Sequence, residues 1–144
     1  MLFRSNDTAI AFVTLIALCL TGFLVSLAAF LSGFSPSAEI PAPDGINQWT
    51  AIIFLSLGTG FLEEAFFRVY LPQRILEVKN NPKIAYLISA FVFAVCHAGD
   101  GLWAVINALL AAGVLSVVYI KSSSFLGIAL AHGFYNILVF FLTS

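Results

Sequence analysis

Apolar runs long enough to cross a bilayer constrain the fold of this chain more than any other feature. Ala9 to Leu31 contains no charged residue, and a helix crosses a hydrocarbon core of about 30 Å with roughly 20 apolar residues. The run is longer than the roughly 7–15-residue apolar region of a cleaved signal peptide, so it reads as a retained span. Backbone amides in lipid must be satisfied within their own segment or in a closed barrel, and runs of this length select helices. Over 144 residues, 61% are hydrophobic and 9% charged, with a mean hydropathy of +1.05; soluble chains carry about 25% charged residues. The expected fold is all-α, a polytopic membrane helix bundle of about five transmembrane helices. Residues 1–144 form a single membrane domain with no room for a separate soluble one. Net charge is -1 and the six Lys and Arg form no basic run, which excludes nucleic acid as a partner and leaves the lipid bilayer. Cys19 and Cys96 lie within apolar stretches, lack metal-ligand spacing and make no disulfide framework.

After the first span, Ser32 to Gln48 carries Pro36, Pro41, Pro43, Glu39 and Asp44 and reads as the longest loop. Trp49 marks a membrane interface. A second span starts near Thr50 and ends between Leu71 and Val78, before the turn signal Asn80-Asn81-Pro82. A third runs from about Lys83 to His97 and is broken by Gly99-Asp100-Gly101. The fourth covers Leu102 to Ile120 and the fifth Phe125 to Leu142, with Lys121-Ser122-Ser123-Ser124 as the turn between them. In this arrangement every Lys and Arg falls on one side, and the opposite loops hold Glu39, Asp44 and Asp100. The positive-inside rule then gives a cytoplasmic N-terminus and an external C-terminus.

Charged groups inside these spans cost several kcal/mol each by the lower estimates, and they persist where they pair or work. Glu64 and Arg68 stand four apart with the acid first, the favourable order for an ion pair on one helix face. Glu63 points about 100° away from Glu64 and has no basic residue three or four positions off, so its partners must come from other helices. The chain has two histidines, His97 near the end of span three and His132 inside span five. His132 shares a face with Asn136, and Phe93 with His97, so three helices direct polar groups toward one internal place. Depth strains this reading. Glu63 lies roughly 20 Å below Trp49 and His97 roughly 20 Å above Lys83, so in a core of about 30 Å they miss each other by roughly 10 Å. A second helix that runs past Arg68 toward Val78 closes the gap and makes Arg68 a buried partner. Gly58, Gly60 and Gly113 are expected at close helix approaches, and the 15 Phe as packing and lipid-facing bulk.

Glu63-Glu64-Ala-Phe-Phe-Arg68, Phe93-Ala-Val-Cys-His97 and His132-Gly-Phe-Tyr-Asn136 resemble, in order and on separate spans, the three motifs of the CAAX protease and bacteriocin-processing family of intramembrane proteases (CPBP or Abi proteins). The motifs cover about half the chain; span one and the Pro-rich loop find none. The resemblance implies a short bacterial-type enzyme of the inner membrane that hydrolyses a membrane-anchored protein or peptide near its C-terminal or juxtamembrane segment. The size of the chain sets it apart from the larger eukaryotic members and from a prenylated substrate.

Peptide hydrolysis needs an activated water, and a desolvated carboxylate such as Glu63 suits the general base. His97 would hold or share the water, and His132 with the Asn136 amide would stabilise the oxyanion. Glu64 and Arg68 would hold the helix face in place, and Phe93 would line the pocket or pack. Glu63, His97 and His132 could alternatively bind Zn with an open position for water. The absence of HExxH spacing favours the metal-free form, although both readings stand at this point. Cys96 beside His97 suggests a thiol nucleophile, but neighbouring helix residues diverge by about 100°. Two other classes compete: a non-enzymatic immunity protein of the same family, and a small proton-coupled transporter, which the lack of inverted repeats disfavours.

Overall fold

The structure is a computed structural model that describes residues 6–34 and 42–143. The part of the Pro-rich loop that carries Pro36, Glu39 and Pro41 lies outside the described residues. Five helices follow one another: α1 (Asp7–Leu31), α2 (Ile46–Lys79), α3 (Pro82–Cys96), α4 (Leu102–Ser122) and α5 (Phe125–Thr143). Among the described residues, all but the 15-residue α3 are long and apolar enough to cross a membrane. The second helix starts at Ile46, before the expected Thr50, and takes in the last residues read as loop.

Local chemistry sets the helix ends. Asn80 stops α2 in the left-handed conformation, φ 42°, which asparagine tolerates better than most residues. The Asn81 side chain then accepts from the Ile84 N–H and Pro82 opens α3, the usual cap and first-turn preferences. Ser123, φ 53°, ends α4. The Ser124 hydroxyl accepts from the Gly127 N–H, 3.1 Å, and donates to Asp7 Oδ1, 2.6 Å, so it caps α5 while tying that helix to the start of α1. At the other end, Trp49 packs edge-on to Phe140 at 6.3 Å between ring centres.

Helix α5 is the hub. It packs along α1 on one side and along the N-terminal half of α2 on the other, α4 packs on α1 and α3, and α4 meets its neighbour α5 only sparsely. Leu18, Leu115, Ile128, Ala131 and Tyr135 fill one core cluster; Phe67, Phe93, Ala94, Ala108 and Ala112 fill a second beneath the site. Phe12, Phe23, Phe30, Phe54, Phe91 and Phe141 are exposed, as expected of a bundle whose outer surface meets lipid. Of the three glycines expected at close approaches, only Gly60 sits at one: a Cβ there would lie 2.6 Å from the Gly133 backbone nitrogen. Gly58 and Gly113 face open space. Gly133, across the contact, carries no signal in the sequence beyond its being glycine.

Helix α2 is not regular throughout. Ala65–Tyr70 is a π-helical segment, with the Leu71 N–H bonded to the Phe66 carbonyl. The widened turn leaves the Phe67 carbonyl to accept from the buried Ser89 hydroxyl of α3, which fastens α2 to α3 just below the Glu-Glu pair. Such single-turn π segments are infrequent and concentrate at functional sites.

Continuation of α2 to Lys79 removes the depth conflict. Measured from the tight Asn80–Asn81 turn, Glu63 stands roughly 24 Å up α2 and His97 roughly 22 Å up α3. The two are level because the polar end of α2, which carries the exposed Arg74–Glu77 ion pair at 2.7 Å, carries the turn well below the apolar part of the helix.

Candidate active site

Glu64 and Arg68 are buried side by side, at 0% and 1% exposure. Arg68 Nε lies 3.1 Å from Glu64 Oε2, an ion pair by distance that misses hydrogen-bond geometry. The guanidinium also lies 4.8 Å over the Phe93 ring, and its two terminal nitrogens have no hydrogen-bond partner among the described residues. Arginine tolerates this better than lysine, because its charge is delocalised and its plane stacks on aromatic rings. The pairing expected from spacing is therefore present.

The same carboxylate does more than neutralise Arg68. Glu64 Oε1 lies 2.8 Å from His132 Nδ1. A carboxylate accepts only, so Nδ1 carries the proton and His132 presents Nε2 onward. There Glu63 Oε2 stands 3.6 Å away. Spacing pairs Glu64 with Arg68 and leaves His97, His132 and Asn136 as candidate partners of Glu63; the structure has His132 between both acids. Glu64 thus joins Arg68 on its own helix to His132 on α5, and Glu63, 27% exposed, is the half of the pair left open.

His97 is fixed differently. It caps the C-terminus of α3, and its Nδ1 lies 2.9 Å from the Phe93 carbonyl, which can only accept. Nδ1 therefore carries a proton. Phe93 stacks against His97 at 4.7 Å and against His132 at 5.9 Å between ring centres, and it is 2% exposed. It is both pocket wall and packing residue, the common neighbour of Arg68 and both histidines. Cys96, next to His97, is exposed and does not line the cavity.

A cavity of about 280 Å³ opens between α4 and α5, lined by Phe93, His97, His132 and Asn136 together with small and apolar residues of both helices. Four motif residues on two helices thus face one space; Glu63 does not line it and meets it only by its contact with His132. Asn107 and Tyr135, which sequence reasoning missed, also line it and are bonded to each other, Nδ2 to hydroxyl, at 3.2 Å. Asn107 was within reach of sequence reading as a polar residue inside an apolar span; Tyr135 lies within the third motif, where only His132 and Asn136 carried a stated role.

Glu63 and His132 meet, but His97 does not join them in a metal-binding set: among the described residues, no three His, Cys, Asp or Glu side chains form a cluster able to hold a metal.

Fold and site define a multi-pass membrane protein in which His97 and His132, from two helices, line one partly open cavity and Glu63 and Glu64 of a third helix meet His132. The family model for the type II CAAX prenyl endopeptidases, Rce1-like, matches residues 45–138, which takes in all three motifs and leaves out α1. The chain belongs to this family of intramembrane proteases. Comparison with curated proteins and with solved structures gives no match.

Proposed function

We propose that this protein is an intramembrane endopeptidase that hydrolyses one peptide bond in a membrane-anchored protein or peptide, near its C-terminal or juxtamembrane segment, with Glu63 as the base that activates water. The observation that carries the reading is the ordered chain Arg68–Glu64–His132–Glu63, at the edge of the cavity that His97 and Asn136 line. Glu63 takes a proton from water, and the oxygen attacks the scissile carbonyl carbon. The Asn136 amide and His132, when its Nε2 is protonated, donate to the oxyanion. Collapse of the tetrahedral intermediate breaks the C–N bond. The leaving nitrogen receives the proton that Glu63 took, by way of the His97 side of the cavity or directly. Glu64 takes no part in the transfer; it holds His132 in one tautomer and orientation, a role second neighbours of catalytic groups commonly fill.

The protein sits in a bacterial inner membrane with the N-terminus cytoplasmic, supported by the placement of every Lys and Arg except the buried Arg68 on one side of a five-helix topology. Purified protein in vesicles should cleave membrane-anchored test peptides. Glu63→Gln should lower kcat/KM at least 100-fold, the usual size of a lost general base, with its thermal unfolding unchanged. Wild-type rates in Glu63→Gln would remove Glu63 from the reaction. An immunity protein that only binds would keep its protective effect in that variant.

A further inference from the structure

A second polar pair stands in the cavity wall, joining Asn107, outside the three motifs, to Tyr135, a residue of the third motif that the proposed reaction does not use. Asn107 of α4 donates from Nδ2 to the Tyr135 hydroxyl of α5, across a helix pair that otherwise touches sparsely. Asn107 Oδ1 is buried and has no hydrogen-bond partner among the described residues. Turning the amide over does not repair this: a hydroxyl can donate or accept, so either orientation satisfies one amide atom and leaves the other alone. An orphaned amide group at lipid depth is costly and calls for an explanation. Along the same face of α4, Ala104, Ala108 and Ala111 line the cavity too. They leave the α4 side of the cavity without bulk, so the main chain of an entering peptide can come close to the helix.

We infer that Asn107 is a substrate-positioning residue that pairs with the main chain of the peptide beside the scissile bond and holds it extended for His132 and Asn136. This rests on the endopeptidase reading. A helical substrate hides its carbonyls in its own hydrogen bonds and must be unwound to be cut, which frees N–H and C=O groups at a depth where water is scarce. One planar side-chain amide offers an acceptor and a donor together, the match for the N–H and C=O of a single residue in an extended chain. Tyr135 orients that amide before substrate arrives. Gly22 of α1 makes this possible, since a Cβ there would run into the Tyr135 hydroxyl. Asn107 donates and accepts hydrogen bonds only; it takes no proton from the reacting groups.

The test uses quenched-fluorescence peptides in phosphatidylcholine vesicles, each an apolar transmembrane segment followed by a randomised tail. The best-cleaved peptide is then remade with one main-chain amide at a time replaced by an ester, which deletes a single N–H. Asn107→Ala should raise KM about tenfold, as loss of a buried hydrogen bond does, with kcat within about threefold and thermal unfolding unchanged. One ester position should weaken the wild type by a similar factor and leave Asn107→Ala unaffected. Should Asn107→Ala not fold, the same ester scan in Tyr135→Phe should show that position losing most of its effect. Unchanged KM in Asn107→Ala, or equal ester penalties in wild type and variant, overturns the inference while the protease stands. Absence of cleavage by the wild type overturns both.

Discussion

Arg68 is the residue on which the site most depends without touching substrate. Its burial at 1% exposure beside Glu64 means that deletion of either charge strands the other in a dry interior. Breaking a buried pair by removing one partner costs about 3–5 kcal/mol. Arg68→Ala should therefore lower the unfolding temperature in detergent sharply, and Arg68→Lys should recover little, because lysine reproduces neither the reach to Glu64 nor the stacking on Phe93. Equal stability of Arg68→Lys and wild type would show that charge alone matters there. Spacing in the sequence was enough to pair Glu64 with Arg68, because both lie on one helix. It could not show that Glu64 also binds His132, 68 residues away: that contact depends on how α2 and α5 rotate against each other, and helical periodicity carries no such information. For the same reason spacing directs Glu63 to other helices for a partner without telling which nitrogen of which histidine it meets, His132 Nε2 in the structure.

At the scale of helices, position decides what a glycine does. Gly60 and Gly133 let α2 and α5 approach backbone to backbone, and the atoms a new Cβ at Gly60 would strike are main-chain atoms that cannot turn aside. Gly60→Ala should force the two helices apart and cost about 1–3 kcal/mol, in the range of overpacking in a tight core. It should also weaken activity, since Glu63 and Glu64 lie within a turn of it. Gly58→Ala, only two residues earlier but facing open space, should be neutral or stabilising by up to about 1 kcal/mol from helix propensity. Thermal unfolding of the two variants side by side checks the contrast. The five helices, their order and most of their ends were legible because each apolar run is bounded by strong signals such as Asn80-Asn81-Pro82 and Ser123-Ser124. The π-helical turn at Ala65–Tyr70 was not, since no residue type marks it; its consequence is the Phe67 carbonyl that Ser89 claims.

For the whole molecule, the consequential dimension is the length of α3. Fifteen residues make a rod of roughly 22 Å, about 8 Å less than a typical hydrocarbon core, and its far end is where His97 sits. A bilayer meets a short span by thinning around it, at a cost of fractions of a kcal/mol per Å. Lipid beside the cavity that His97 lines should then be dimpled toward it. This brings water down to Glu63 without a channel through the bundle, and it shortens the stretch of a partner helix that the membrane can hold in helical form. Turnover in phosphatidylcholine vesicles should fall steadily as acyl chains lengthen from about 14 to about 22 carbons, because each added Å of thickness must be compressed. Rates that ignore chain length would mean that the bundle tilts rather than the lipid yielding. On this view the enzyme carries part of its active site as a deformation of its solvent, and the thickness of the membrane is one of its working parameters.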